Sequence, residues 1–585
     1  MVFSNIFLSL KKLKSLADWK LLLFLVLFLN VKMAIKIPAI ALIYLLQFNF
    51  KFGFSFKNSR LPLFYLLAIG IAILNWLIGR NYFNLNYNIV LLTGIGFWVL
   101  CILAMHQVKL FVENNDTETI HRTIVVFFIL NAILSLCNIA AIIFETGAVN
   151  PYIYQGQYQK YFIGTGDYIK GLTFDTSTTN AVLNALGCIY FLAKKNAAML
   201  LVCMAVMLLT ASNFTNTILL LCFAILFIFK STRDQKSLIA VCIMFLVVFM
   251  VKISPQNYTY VHETIKNTLH PGAKYQMPQA KPNIPITLMP DSLLDADQRK
   301  QKIAQSYIDS VYTANHRVLR HPVAATIVRG PVVVPSATVS SGALLERLNM
   351  YVLQVRRPAR AIPANENGRA LIPQPDINTL PYQHIADTSN YQKQLLSFIG
   401  AHKSDLPLSA QHKYQPKLPG KALSMLQTIH FLIQHPFKLM TGDGMGNFSS
   451  KLAFRVSGLG FAGGYPKKYT YLDPDFLSNH LDIYLNYFSK KTDLHSLTNN
   501  PDSVYDQVLG EYGILGMIAF LIWYIGYFLK RYKALTYGLP VLLMLMAVFF
   551  IEYWFEQLSI LVFFELLLLL NIKETTPKTL IENAY

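Results

Sequence analysis

The chain has 585 residues, of which 54% are hydrophobic and 14% are charged, and its mean hydropathy is +0.40. A soluble protein of this length carries about a quarter charged residues, so the deficit excludes an ordinary soluble protein and points to lipid as the solvent. The net charge of +20 does not indicate nucleic-acid binding, because no basic stripe alternates with aromatic residues. Basic cytoplasmic loops alone make a membrane protein cationic.

Twelve apolar segments are predicted as transmembrane helices, because each approaches the about 20 residues that cross a hydrocarbon core. In chain order they cover residues 18–31, 33–49, 61–79, 88–107, 123–145, 178–194, 196–212, 213–230, 236–252, 509–530, 535–552 and 555–572. Asn30, Lys32 and Lys36 interrupt the first two, so this stretch is either two spans or one bent span. No small-residue cleavage site follows it, so we do not predict a cleavable signal peptide.

Positive charge distinguishes the two sides of the predicted membrane. With the N-terminus inside, the inner loops contain most of the Lys and Arg residues that flank the spans. The short outer loops carry almost none, with Arg80 and Lys252 as the main exceptions. The positive-inside rule therefore predicts twelve spans with both termini in the cytoplasm.

This topology divides the chain into three parts. Residues 1–252 form the first part of the transmembrane core, about nine spans with an outer loop at 146–177. Residues 253–508 form a large outer insert, which is Pro-rich and irregular over 271–420, apart from a predicted helix at 295–316, and more regular over 420–508. Residues 509–585 contain the last three spans and a cytoplasmic tail. The predicted fold class is an all-α polytopic membrane protein with about 12 transmembrane helices.

The six cysteines all lie inside apolar runs, and none lies in the large insert. This distribution gives neither a disulfide framework nor the paired spacing of a metal site, so we interpret the cysteines as small buried hydrophobic residues. The histidines of the insert also lack zinc spacing. The glycine-rich stretch at 442–446 is not a P-loop, because no Gly-Lys-Ser/Thr follows it.

Three short motifs stand in a fixed order around the predicted spans. They are Gly171-Leu-Thr-Phe-Asp175; Gly420-Lys421 with His435-Pro436 and Gly442-Asp-Gly-Met-Gly-Asn-Phe448; and Asp502-Ser-Val-Tyr505 with Leu509-Gly-Glu511-Tyr-Gly513-Ile-Leu-Gly516. The arrangement resembles the O-antigen ligase and O-antigen polymerase family. In that family a large periplasmic loop precedes the last spans, and a His-Asn or Asp-Asn pair opens a segment ending in Glu-x-Gly-x-x-Gly. The resemblance covers most of the chain by topology and a small part by motif.

The resemblance implies a type C membrane glycosyltransferase in the bacterial inner membrane. Such an enzyme takes a glycan from undecaprenyl diphosphate and passes it to a hydroxyl group of an acceptor. Ligases use lipid A–core as the acceptor, whereas polymerases use the next lipid-linked repeat. The resemblance further implies that the insert is periplasmic and that no nucleotide sugar, cofactor or metal is used.

Displacing a diphosphate from an anomeric carbon requires cations near the leaving oxygens and can use a base for the attacking hydroxyl. The catalytic candidates are Asp502, as base or orienting group, and the cations Lys421 and Arg455. The substrate-binding candidates are Arg80, Asp175, His480, Tyr505 and Glu511.

Each of these candidates also has a purely structural interpretation. Asp502 is a preferred N-cap for the helix that follows, and Lys421 fits a solvated helix start. Arg455 fits a snorkelling surface arginine, and Glu511 a structural hydrogen bond at the membrane boundary. The chain also departs from the ligase pattern, which has His-Asn where Asp502 and Ser503 stand and usually Arg where Lys421 stands. The Asp form is more similar to a polymerase.

Two other functional classes compete with this interpretation. A transporter or flippase usually has ionisable residues at mid-membrane and often internal repeats, whereas the predicted span centres are almost free of charge and show no repeat. A non-catalytic component of envelope polysaccharide assembly stays open, because the catalytic constellation is incomplete.

Overall fold

The computed structural model describes residues 17–29, 32–48, 61–79, 81–153, 165–174, 176–229, 231–255, 419–458, 465–487, 500–530, 532–533 and 535–576. All of them belong to the compact unit formed by residues 1–258 and 338–585. The predicted helix at 295–316 and the candidates Arg80 and Asp175 lie outside the described residues. Throughout the described ranges, the regular structure is helical.

Nine helices are described before the large insert. They are α1 (Trp19–Phe28), α2 (Met33–Phe48), α3 (Phe64–Ile78), α4 (Leu85–Asn114), α5 (Thr117–Thr146), α6 (Ser177–Ala193), α7 (Ala197–Leu209), α8 (Asn213–Phe229) and α9 (Arg233–Val248). A turn of π-helix at Phe249–Ile253 extends α9.

Nine further helices are described after the insert begins. They are α10 (Gly420–Gln434), α11 (Pro436–Thr441), α12 (Lys451–Val456), α13 (Pro474–Asn479), α14 (Leu481–Tyr487), α15 (Val504–Ala519), α16 (Gly538–Val548), α17 (Trp554–Gln557) and α18 (Ser559–Thr575). A π-helical turn at Phe520–Ile525 and the segment Gly526–Leu529 continue α15.

Within the part of the chain that the structure describes, four helical segments are long and apolar enough to cross a membrane: Leu85–Asn114, Thr117–Thr146, Arg233–Ile253 and Val504–Leu529. Shorter apolar helices accompany them. Each of the twelve predicted spans overlaps one of the helices above. The chain therefore has the character of a helical membrane protein, while the count of twelve crossings stays a prediction.

The first apolar stretch is divided into two helices, α1 and α2. Lys36 of α2 is fully buried, and its ammonium donates to the carbonyl oxygen of Phe28 at 2.6 Å and lies over the Phe28 ring. A cation at the end of α1 satisfies a carbonyl that the helix leaves free. At 10 and 16 residues, the two helices are shorter than the about 20 residues that a straight crossing needs.

The centre of the bundle is α18, whose residues from Ser559 to Asn571 are all buried. A helix that is apolar on every side belongs in the interior of a helical assembly. Its one carboxyl in this stretch, Glu565, accepts hydrogen bonds from the hydroxyls of Tyr65 at 2.7 Å and Tyr524 at 3.2 Å. These two bonds satisfy a polar group that is costly to leave alone in an apolar core, and they join α18 to α3 and to the continuation of α15.

Candidate functional site

The start of α15 is fixed by backbone contacts with the end of α16. The Val504 amide donates to the Phe549 carbonyl at 2.9 Å, and the Tyr505 hydroxyl donates to the Met546 carbonyl at 2.7 Å. Ser503 is the N-cap residue, and no side chain caps the helix. The interpretation of Asp502 as the N-cap is therefore wrong, and Tyr505 is used in helix packing.

Four charged residues gather beside this helix start, and we call them the carboxyl–lysine cluster: Lys421, Lys451, Asp502 and Glu552. The Lys421 ammonium donates to the carbonyl oxygen of Asp502 at 2.5 Å. Lys451 Nζ lies 3.2 Å from Glu552 Oε1, and the Asp502 and Glu552 side chains are hydrogen-bonded to each other. Asp502 Oδ1 is buried and has no hydrogen-bond partner within the described residues.

The two carboxyls of the cluster differ in their affinity for protons. Burial, together with the Glu552 charge, raises the pKa of Asp502. Burial also opposes the ionisation of Glu552, but the Lys451 ammonium and the Asp502 hydrogen bond outweigh it and hold the pKa of Glu552 below its usual value. Two carboxyls in contact share one proton, so near neutral pH Asp502 is the acid and Glu552 the carboxylate. Burial lowers the pKa of Lys421.

Sequence reasoning missed both Lys451 and Glu552. The predicted span 535–552 includes Glu552, whereas α16 ends at Val548, so Glu552 lies in the turn that follows. Lys451 opens α12, which the Ser450 hydroxyl caps by accepting from the Ala453 amide at 2.9 Å. Lys451 stands four residues before Arg455, so both cations lie on one side of the helix. From the sequence, this spacing was the pattern by which Lys451 could have been identified as a second cation of the site.

The candidate His480 lies in the interior, against α10. Its Nδ1 is 3.3 Å from the Ser424 hydroxyl and its Nε2 is 3.2 Å from the Thr428 hydroxyl. Both hydroxyls donate to the carboxylate of Asp506. Asp506 lies in the first turn of α15, four residues after Asp502. Burial lowers the pKa of His480 to about 3, so the ring is neutral. This network orients α10, whose first turn carries Lys421, and we assign His480 a positioning role.

The glycine-rich loop after α11 packs directly on the backbone of α15. The Asp443 amide donates to the Gly510 carbonyl at 2.9 Å, and the Gly444 amide donates to the Glu511 carbonyl at 3.1 Å. This approach requires Gly513, whose φ of 65° and ψ of −162° are accessible to glycine almost alone. A Cβ atom there would lie 2.6 Å from the Met440 carbonyl oxygen. The Glu-x-Gly-x-x-Gly motif therefore has a packing function.

Glu511 is fully buried beneath this same loop. Its carboxylate faces the backbone amides of Gly446 and Phe448 and both the amide and hydroxyl of Ser450, although no pair reaches full hydrogen-bond geometry. Ser450 caps α12, so Glu511 supports the helix that presents Lys451. The arrangement favours a structural role for Glu511 behind the cluster.

A second charged group lies around Lys438 on α11. Its ammonium is 2.5 Å from both Asp443 and Asp475. Asp473 completes an acidic trio in which one oxygen of each carboxylate lies within 4.8 Å of the others. Asp473 also accepts from the Asp475 amide and the Tyr471 hydroxyl. The Lys438 ammonium thus offsets part of the negative charge of the three carboxylates. Its ion pair with Asp475 connects α11 to the start of α13.

Comparisons with protein families, with curated proteins and with solved structures find no match to the chain.

Proposed function

We propose that the chain is a membrane glycosyltransferase of the O-antigen ligase and polymerase type. It would transfer or polymerise an undecaprenyl-diphosphate-linked oligosaccharide onto an acceptor hydroxyl at the periplasmic face of the bacterial inner membrane. The observation that supports this most is the carboxyl–lysine cluster, because two ammonium groups and a proton-sharing carboxyl pair stand at the motif segment that opens with Asp502.

The cluster has the groups that the reaction needs. As the bond between the anomeric carbon and the diphosphate breaks, the electron pair leaves with the undecaprenyl diphosphate, and Lys451 with Lys421 stabilises the charge on its oxygens. The acceptor oxygen forms the new glycosidic bond, and its proton passes to a carboxylate. Lys451 and Glu552 are both partly exposed, so substrate can reach them.

In this proposal Glu552 takes the role that sequence analysis gave to Asp502. Glu552 is the ionised member of the pair, because Lys451 lies 3.2 Å from it, and only the ionised member can accept a proton. The protonated Asp502 donates a hydrogen bond to Glu552 and keeps that carboxylate oriented. Lys421 holds the Asp502 backbone in place through its carbonyl oxygen.

The proposal includes a topology of twelve spans with both termini cytoplasmic and the insert between 253 and 508 in the periplasm. Its support is the charge bias of the loops. Alkaline phosphatase fused after Gly420 should be active, and the same enzyme fused after Arg233 should be inactive. The reverse pattern would overturn both the topology and the function built on it.

The experiment that tests the function is mass spectrometry of the surface glycan from a strain without the protein. Lost chains would identify a ligase and short chains a polymerase, whereas an unchanged glycan would contradict the proposal. Restoring the chain with Lys451→Met should fail, because losing one charge-stabilising group costs about 3 kcal/mol in the transition state. Lys468→Met, an exposed lysine of the outer region, is the matched control and should restore the glycan fully.

A further inference from the structure

We propose that α10 and α11 lie in the membrane surface beside the start of α15, with one apolar face inserted among the lipid chains. We call this surface the apolar face. It consists of Leu426, Ile429, Ile433, Phe437 and Met440, all of which are exposed. The inference rests on the helical membrane character of the chain and is independent of the reaction proposed above.

The spacing of these residues groups them within each helix. Steps of three and four residues place Leu426, Ile429 and Ile433 on one side of α10. Phe437 and Met440, three residues apart, lie on one side of α11, which follows the non-helical His435. Phe437 is 93% exposed and Ile433 is 66% exposed. Large apolar side chains grouped together in contact with water mark an interaction site.

The opposite side of α10 is already occupied. Leu423, Thr428, Phe431 and Leu432 are buried, and the Ser424 and Thr428 hydroxyls bind Asp506 on α15. The Phe431 ring stacks on Phe448 with a centroid distance of 4.4 Å. The helix therefore cannot rotate its apolar face inwards, and an external environment has to cover that face.

The helix α11, which carries Phe437 and Met440, is in contact with a segment that is long and apolar enough to cross a membrane. The backbone of Met440 packs against Gly513 of this segment, Val504–Leu529. That span itself exposes the apolar residues Ile518, Leu521 and Ile522, as a helix does towards lipid. The two surfaces belong to elements in direct contact, so the lipid that surrounds the span also reaches α11.

The two helices carry no negative charge that a lipid surface would repel. From Gly420 to Thr441 the chain contains no acidic residue, and it has two lysines and two histidines. Interfacial helices bury an apolar face about 5–10 Å deep in the headgroup boundary. The two lysines are bound on the protein side, to Asp502 and to the Asp443 and Asp475 carboxylates, so they do not interrupt the apolar face. The one exposed polar pair on this side, His430 and Gln434, is hydrogen-bonded at 2.8 Å. Lipid is thus the occupant that fits the face.

The test uses the full-length chain in nanodiscs with a fluorescent label on one cysteine. Five native cysteines are buried and Cys137 is exposed, so Cys137→Ala gives the background. An NBD label is attached at Phe437→Cys or Ile433→Cys and, as a control, at Lys468→Cys, another exposed outer position. Quenching is measured with a phosphatidylcholine that bears a doxyl group near the headgroup, and separately with iodide.

The labels at 433 and 437 should be quenched by the doxyl lipid at least about twofold more than the label at 468 and should be protected from iodide. If iodide reaches them as freely as it reaches the label at 468, the face lies in water and the proposal is wrong. Protection from both quenchers would also overturn it, because protein would then cover the face. Each result is independent of whether the chain transfers glycan.

Discussion

Replacement of Gly513 by alanine tests how the glycine-rich loop is held against α15. Gly513 has φ 65° and ψ −162°. A Cβ atom on it would lie 2.5 Å from the Gly442 nitrogen and 2.6 Å from the Met440 carbonyl oxygen. Both neighbours are backbone atoms, so the loop has to move away and its two hydrogen bonds to Gly510 and Glu511 are lost.

The size of the effect follows from these contacts. A side chain forced into this backbone conformation costs about 1–3 kcal/mol. Each lost backbone hydrogen bond contributes about 0.5–1.5 kcal/mol more. Gly513→Ala should therefore destabilise the protein by about 2–6 kcal/mol.

Unfolding of the purified protein in mixed detergent micelles, followed by tryptophan fluorescence, measures this loss. The matched control is Gly96→Ala in α4, where an added Cβ atom would meet nothing within 4 Å. Alanine in a helix interior gains about 0.5–1 kcal/mol over glycine, so the control should be unchanged or more stable. Equal unfolding midpoints for Gly513→Ala and the wild type would refute the argument that this motif exists for close packing.

Three further outcomes are expected. Asp506→Ala should lower stability by about 1–3 kcal/mol in the same unfolding assay, because two buried hydroxyls lose their acceptor. Lys438→Met should lower stability by about 1–3 kcal/mol by the same measure, since the buried Asp443 would lose its ion-pair partner while solvent screens part of the loss at the half-exposed Lys438. The rate of glycan transfer should depend on pH with a bell-shaped profile. Asp502 must be protonated, so the rate should fall as the pH rises through its raised pKa. Glu552 must be ionised, so the rate should also fall as the pH drops through its lowered pKa. Lys421, whose pKa burial also lowers, contributes to the same alkaline limb. Asp502→Asn should therefore shift that limb and leave the acid limb in place, and a profile with the alkaline limb unchanged would contradict the shared proton.

The helices were predictable because hydropathy over a span is a local property of the sequence. Each predicted span overlaps a helix, and the motif at Asp502 does stand at the start of one. The prediction failed where a boundary depended on packing. The predicted span 535–552 is too long, because α16 ends at Val548 and the following turn meets the start of α15 through the bond from Val504 to Phe549.

The candidate site was predictable only in part, because its members are far apart in the chain. Lys421 and Asp502 were identified from their motifs, and they do lie in contact. Lys451 and Glu552 come from a six-residue helix and a turn 101 residues apart, and no local pattern joins them. The assignment of the base to Asp502 depended on its charge, which the neighbouring Glu552 determines and which the sequence alone does not reveal.

The most direct test of the central proposal is glycan transfer by the purified chain in nanodiscs. The substrates are a radiolabelled undecaprenyl-diphosphate oligosaccharide and a second lipid-linked glycan or lipid A–core as acceptor. The wild type should form the longer product and release undecaprenyl diphosphate at a rate that a chelator does not change. Glu552→Gln should lower that rate about 100-fold or more, while Glu113→Gln, a carboxylate paired on the surface with Lys109, should leave it unchanged. Absence of transfer by the folded wild type, or a full rate in Glu552→Gln, would contradict the account.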